Sequence, residues 1–230
     1  MVNDFAVSKV FALGSCRLMA PMKSLHSNGV IDLTNENYSW YAHNILEVKQ
    51  RIAIMKNECI IPNELINLVV DIDSCKTELK QPIKNYSLPK VGIFEISTSS
   101  YRSYKGYQLH SMCISKLNFG GSSVELLQRE QLEQEICNVA SYFENVLLVC
   151  NIDKDESLIK LDKHRYELNL FLKLLANKYD HISVFDPNNF LNADNINLDL
   201  EDRNHFTQRF AHSLLCEYEL ALQKLQTKVC

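Results

Sequence analysis

The sequence has little glycine or proline, six and five in 230 residues. Collagen-like repeats, low-complexity tracts and long flexible linkers are thereby excluded. It has no surplus of positive charge: 24 Lys and Arg stand against 28 Asp and Glu, giving a formal net charge of −4 and a pI near 6.0. Without an overall positive field, nothing draws a phosphate backbone or an anionic lipid surface to this chain, so neither nucleic acid nor membrane is an expected partner. No apolar run approaches the roughly 18 residues a membrane helix needs. The opening Met1-Val2-Asn3-Asp4-Phe5 lacks the basic and apolar regions of a signal peptide. Cysteine is plentiful, but none of the eight (16, 59, 75, 113, 137, 150, 216, 230) forms a C-x-x-C pair. That scatter argues against a disulfide framework and a zinc site alike, and a thiol such as Cys150, inside Val146-Leu147-Leu148-Val149-Cys150, behaves as a small buried hydrophobe. A reducing, cytoplasmic setting with no metal is expected.

What is present, 46% hydrophobic and 23% charged residues, suffices for a sizeable core. A single domain over residues 1–230 is the default reading. Short apolar runs rich in β-branched and aromatic residues at 6–13, 30–33, 91–96, 145–150 and 181–185 predict five strands. Between and after them, segments of helical period occupy 16–25, 42–56, 62–70, 123–143, 162–179 and 206–227. Leu168, Phe171, Leu172 and Leu175 recur at three- and four-residue spacing against Lys163, Glu167, Lys173 and Lys178, with Asp162 placed to cap the helix. Strands alternating with helices predict an α/β fold around a mainly parallel sheet. The stretch 97–121 lacks periodicity; Tyr101, Tyr104, Tyr107 and Gly106 mark it as an irregular excursion or hairpin, and a candidate lid.

In open parallel sheets ligands sit beyond the carboxyl ends of the strands, where strand order reverses. The loop after the first strand reads Gly14-Ser15-Cys16-Arg17. A glycine there, followed by Ser-Cys opening a helix, sets a nucleophile on a tight turn, and the N–H groups of the helix N-terminus can stabilise an oxyanion. The same N-terminus would lower the Cys16 pKa and enrich its thiolate. The plainer reading is that Gly14 permits the turn and Ser15 caps the helix. Near the other end, Asp202-Arg203-Asn204-His205 precedes the last helix. There His205 would serve as general base, with Asp202 fixing its tautomer; otherwise Asp202 or Asn204 caps the helix and His205 lies on the surface.

Together, strand–G-S-C at the N-terminus and D-x-x-H before the last helix resemble the SGNH (GDSL-like) hydrolase superfamily, most closely its GSCFA-like branch. The resemblance implies a three-layer α/β/α domain with flavodoxin-like strand order 2-1-3-4-5. In register, Cys16 takes the place of the family's nucleophilic serine and Ser15 supports it; a slip of one residue would make Ser15 the nucleophile. The family's oxyanion blocks, a Gly after the second strand and an Asn after the third, do not match here. Ser97 or Thr98 in the third-strand loop, and His43 or Asn44 after the second, are the candidate substitutes, although capping is the stronger reading for Asn44. Arg17 could hold a carboxylate or phosphate, coenzyme A's included, or be a solvated first-turn residue. Glu95, a carboxylate in an apolar strand, must be paired or protonated if buried.

These residues imply acyl transfer through a covalent intermediate on Cys16 or Ser15, with His205 and Asp202 completing a triad. Hydrolase and transferase share every residue named. No cofactor is required, coenzyme A is a candidate acyl donor, and a small molecule or carbohydrate is the expected substrate. A non-catalytic binding module is the alternative.

Overall fold

The computed structural model describes residues 8–36, 41–70, 86–111, 123–154, 162–192, 196–202 and 205–227. Five strands, β1 (Ser8–Leu13), β2 (Ile31–Leu33), β3 (Val91–Glu95), β4 (Asn145–Val149) and β5 (Ile182–Phe185), form one sheet in the order β2-β1-β3-β4-β5. Every neighbouring pair is parallel. Each expected strand is therefore present, and the strand order, which reverses between β1 and β3, is the one the family resemblance implies.

Period-two alternation sends successive side chains to opposite faces. Val10 and Ala12 of β1, Val91 and Ile93 of β3, and Leu147 and Val149 of β4 join one core cluster. Phe11, Leu13, Phe94, Val146 and Leu148 join the other. The first cluster is closed by helix α1 (Cys16–Ser27) through Leu18, Met19, Met22 and Leu25, and by the last helix, α6 (Gln208–Thr227), through Phe210, Leu214, Tyr218, Leu222 and Leu225. The second is closed by α2 (Ile45–Met55), α3 (Ile66–Val70), α4 (Arg129–Ala140) and α5 (Lys163–Lys178). Because both faces of the sheet are covered, its strands read as nearly continuous apolar runs rather than alternating ones.

Several expected helices start later than their sequence pattern, α2 at Ile45 rather than residue 42 because Asn44 caps it. Residues 123–128 are not helical: Glu125–Leu126 pairs antiparallel with Ser100–Tyr101, and the Leu127 N–H donates to the Ser99 carbonyl at 3.0 Å. Helix α6 begins at Gln208 because Phe206 pairs with Leu200, and the Thr207 hydroxyl, not Asp202, receives the Phe210 N–H at 3.3 Å. The 62–70 segment opens as a 3-10 turn, Asn63–Leu65, before α3. The excursion after β3 contains the expected hairpin. Ser103–Tyr104 pairs with Tyr107–Gln108 around Lys105 and Gly106, both with left-handed φ (50° and 84°), where glycine carries no steric cost. Residues 112–121 of that excursion, Ala6 and Val7 of the first expected strand, and Asn204 lie outside the described residues. No helix among the described residues is long and apolar enough to cross a membrane.

Candidate active site

The register Ala12 to Ile93 and Leu13 to Phe94 places Gly14 beside Glu95 at the carboxyl edge of the sheet. A Cβ on Gly14 would lie 2.7 Å from the Glu95 Cβ and 2.9 Å from the Leu18 Cδ2. Gly14 is thus required for close approach rather than for a left-handed turn.

Ser15 is the N-cap of α1, its hydroxyl oxygen accepting the Arg17 N–H at 3.2 Å. The same hydroxyl donates to Glu95 Oε2 at 2.5 Å, and the Ser15 backbone N–H donates to that oxygen at 2.9 Å. Arg17 is buried, so the expectation of a solvated first-turn residue is not met. Its Nη2 donates to Glu95 Oε1 at 2.7 Å and to Asn151 Oδ1 at 2.9 Å. Asn151, directly after β4, donates onward to the Ile96 carbonyl at 2.6 Å, while its own backbone is held by Asn169 and Asn188. A polar chain thus runs under the turn from β1 through β3 to β4. Burial by itself would push the Glu95 carboxyl up; the Arg17 guanidinium, the Ser15 hydroxyl and amide, and charge on His43 outweigh it and hold the group below the ordinary carboxylate range. The requirement that a buried Glu95 be paired or protonated is met by pairing.

Cys16, the first residue of α1, is half-buried and free. Burial, and then the Glu95 charge, raise its thiol above the ordinary cysteine value despite Arg17 and the helix N–H groups. The expected lowering by the helix N-terminus is therefore overridden, because desolvation and a neighbouring carboxylate act together against partial charges at the helix end. A nucleophile here needs a base to take its proton.

Asp202 and His205 face each other in the pairing of Leu200–Asp202 with His205–Phe206. The imidazole Nδ1 lies 2.7 Å from Asp202 Oδ2, and the His205 backbone N–H donates to Oδ1 at 2.9 Å. A carboxylate only accepts, so Nδ1 carries the hydrogen and Nε2 is left for a proton from elsewhere. Both side chains are about half exposed.

The remaining candidates divide. Asn44 caps α2, accepting the Glu47 N–H at 2.9 Å and donating to Glu47 Oε1 at 2.8 Å. The Thr98 hydroxyl oxygen accepts the Ser100 N–H at 2.9 Å, closing a local turn. His43 and Ser97 are drawn to the β1 and β3 ends: the His43 carbonyl accepts the N–H groups of Ser97 (2.7 Å) and Thr98 (3.1 Å), while the preceding Ala42 N–H donates to the Gly14 carbonyl at 3.1 Å. Asn151 was not singled out by sequence. Its one signal is an amide placed directly after an apolar strand. Among the described residues no group of three or more His, Cys, Asp or Glu side chains is arranged to hold a metal ion.

The class defined here is a doubly wound parallel α/β protein with a polar turn at the strand-order reversal. Residues 8–119 match the family model described as the TviD N-terminal domain, to which this part of the chain is similar. A solved structure of a point mutant of the esterase AlinE4 aligns over 95% of this chain and 96% of its own at 14% identity, with a TM-score of 0.38. No curated protein matches the chain in sequence.

Proposed function

We propose that this protein is an acyl-transfer enzyme, an ester or thioester hydrolase or an acyltransferase, working through an acyl-enzyme on Cys16. The observation that carries this reading is the Asp202–His205 pair, an imidazole held twice by one carboxylate with its second nitrogen left to act as a base. Cys16 is favoured over Ser15 because the Ser15 hydroxyl already donates to Glu95 and accepts from Arg17. Removing that hydroxyl's proton would strip a buried carboxylate of a donor.

In this mechanism His205 Nε2 takes the thiol proton, and Asp202 stabilises the imidazolium that results. The sulfur pair forms a bond to the acyl carbon, and the carbonyl π pair moves onto oxygen. When the pair returns, the bond to the leaving alkoxide or thiolate breaks and that group takes the proton from His205. Water or an acceptor hydroxyl then repeats the cycle in reverse at the thioester. A coenzyme A thioester is the proposed donor, and a carbohydrate hydroxyl suits the acceptor role chemically; both rest on the resemblance of the G-S-C and D-x-x-H blocks.

Intact-mass spectrometry after incubation with p-nitrophenyl acetate or acetyl-CoA tests this. One acetyl group is expected on the wild type and on Ser15→Ala, none on Cys16→Ala, and slow labelling on His205→Ala. An acetyl group that survives Cys16→Ala overturns the nucleophile. A folded wild type that acquires none from either donor returns the chain to a binding role.

A further inference from the structure

We propose that the edge of β5 and the flank of α6 beside it form the two-fold interface of a homodimer, in which two copies of this chain join their sheets through antiparallel β5 strands. This surface is independent of the acyl-transfer reading.

Strand order leaves β5 at one end of the sheet among the described residues. The His181 and Phe185 carbonyls accept the N–H groups of Val146 (2.8 Å) and Cys150 (2.9 Å), so residues 181, 183 and 185 turn their backbone groups toward β4. The N–H and carbonyl of Val184 therefore point away from the sheet. Natural edge strands are commonly blunted by a charge, a proline or a bulge that bars further pairing. Ile182-Ser183-Val184-Phe185 carries no charge and no proline, and its pairing with β4 keeps an unbroken register. A groove of about 380 Å³ runs between this edge and α6, and one of about 440 Å³ between it and α5. The first leaves Leu220 48% and Phe190 40% exposed. Four strand residues offer few backbone bonds, so most of the contact falls to α6.

Charge and register together make a second copy the occupant. The Tyr218 ring of α6 stacks on Phe185 at 4.2 Å, which fixes the level of the helix against the strand. The helix starts beyond the carboxyl end of β5 and runs back along it. It rises about 1.5 Å per residue against about 3.3 Å for the strand, so Val184 lies level with positions 220–221. That level is midway between Glu217 and Lys224, which line the same groove. A two-fold axis through Val184 reverses the second helix and sets Glu217 of each copy against the partner's Lys224, with the two Leu220 side chains meeting near the axis. On the axis each Val184 N–H donates to the partner's Val184 carbonyl, the hydrogen-bonded pair of an antiparallel ladder. Such self-complementarity is what an isologous contact requires. A strand from a different protein needs only the backbone groups, and does not call for an acid and a base equidistant from Val184.

Sedimentation velocity of the full chain over a concentration series tests this, with circular dichroism confirming that each variant is folded. The wild type is expected to reach twice the 26.5 kDa monomer mass. Leu220→Lys, which places two ammonium groups near the axis, should raise the dimer dissociation constant by at least about 100-fold. Glu217→Lys, which makes both charge pairs repulsive, should raise it about 10-fold or more, and adding Lys224→Glu to that variant should restore it to near wild type. Should Leu220→Lys fail to fold, the charge exchange decides alone. A wild type that stays monomeric up to its solubility limit overturns the proposal and leaves the edge to a strand of another protein. A dimer that survives both Leu220→Lys and Glu217→Lys also overturns it, because the contact then lies elsewhere. A double variant no tighter than Glu217→Lys overturns the two-fold register.

Discussion

Replacing Glu95 with glutamine keeps the shape of the side chain and removes its charge. Glu95 is 2% exposed and its partner Arg17 7%, so the guanidinium would be left in a desolvated position with a neutral amide in place of its counter-ion. Breaking a buried pair from one side costs about 3–5 kcal/mol, against 0–1 for an exposed pair. The hydrogen bonds from Ser15 would weaken as well, because a neutral amide oxygen accepts less strongly than a carboxylate. Urea unfolding followed by circular dichroism reads the loss as a lower midpoint with unchanged slope. The companion variant Arg17→Met leaves the carboxylate alone and should also be costly. The double variant should be more stable than the sum of the two losses predicts, by about 1–3 kcal/mol, because neither residual charge is stranded. The pH dependence follows from the direction of the shift. The folded carboxyl titrates below its unfolded value near 4.3, so its contribution is full above that pH and disappears as acid protonates the folded form. The gap between wild type and Glu95→Gln should therefore be constant near neutrality and narrow only below about pH 4. A loss under about 1 kcal/mol at pH 7 would refute the reasoning, since it would mean that water already solvates Arg17.

Gly14→Ala forces a methyl carbon to within 2.7 Å of the Glu95 Cβ. It should cost about 1–3 kcal/mol in thermal unfolding, and an unchanged melting temperature would show that the turn can move aside. The rate of Cys16 alkylation by iodoacetamide, followed by peptide mapping across pH, should rise with a half-point above the roughly 8.5 of an unhindered cysteine, because burial and Glu95 both raise the thiol. A half-point at or below that value contradicts the electrostatic picture.

The sheet was legible because its strands are buried on both faces, so runs such as Val146–Val149 stand out from the helical periods around them. The parts that misled are half-exposed. Residues 123–128 carry a helical pattern, yet the exposed Val124 and Leu126 gain nothing from a helix face, and Glu125–Leu126 pairs with Ser100–Tyr101 instead. The Asp202–His205 contact was readable because it is local, three residues apart. The Arg17–Glu95 and Arg17–Asn151 bonds join positions 78 and 134 apart, and no periodicity encodes them. Only the strand order places 14–17 beside 95 and 151. Glu95 did announce itself as a carboxylate among apolar neighbours, but its partner followed only from the β1–β3 register.

Glu95 also acts on stability and on reactivity in opposite senses. Its charge neutralises Arg17 and anchors the Ser15 cap, and the same charge raises the neighbouring thiol and so suppresses the resting thiolate. Removing it should yield a less stable protein whose Cys16 ionises more easily, since burial then acts against an unneutralised Arg17. If Cys16 were only a packed thiol, a lower pKa would change alkylation and nothing else. As a nucleophile served by His205, the thiol in Glu95→Gln would give up its proton more readily than in the wild type, although burial still opposes its ionisation, so the acylation rate should depend less on the imidazole. His205→Ala should then cost less in the Glu95→Gln background than in the wild type. A cost equal in both backgrounds would separate the Glu95 network from the chemistry and leave it a purely structural anchor.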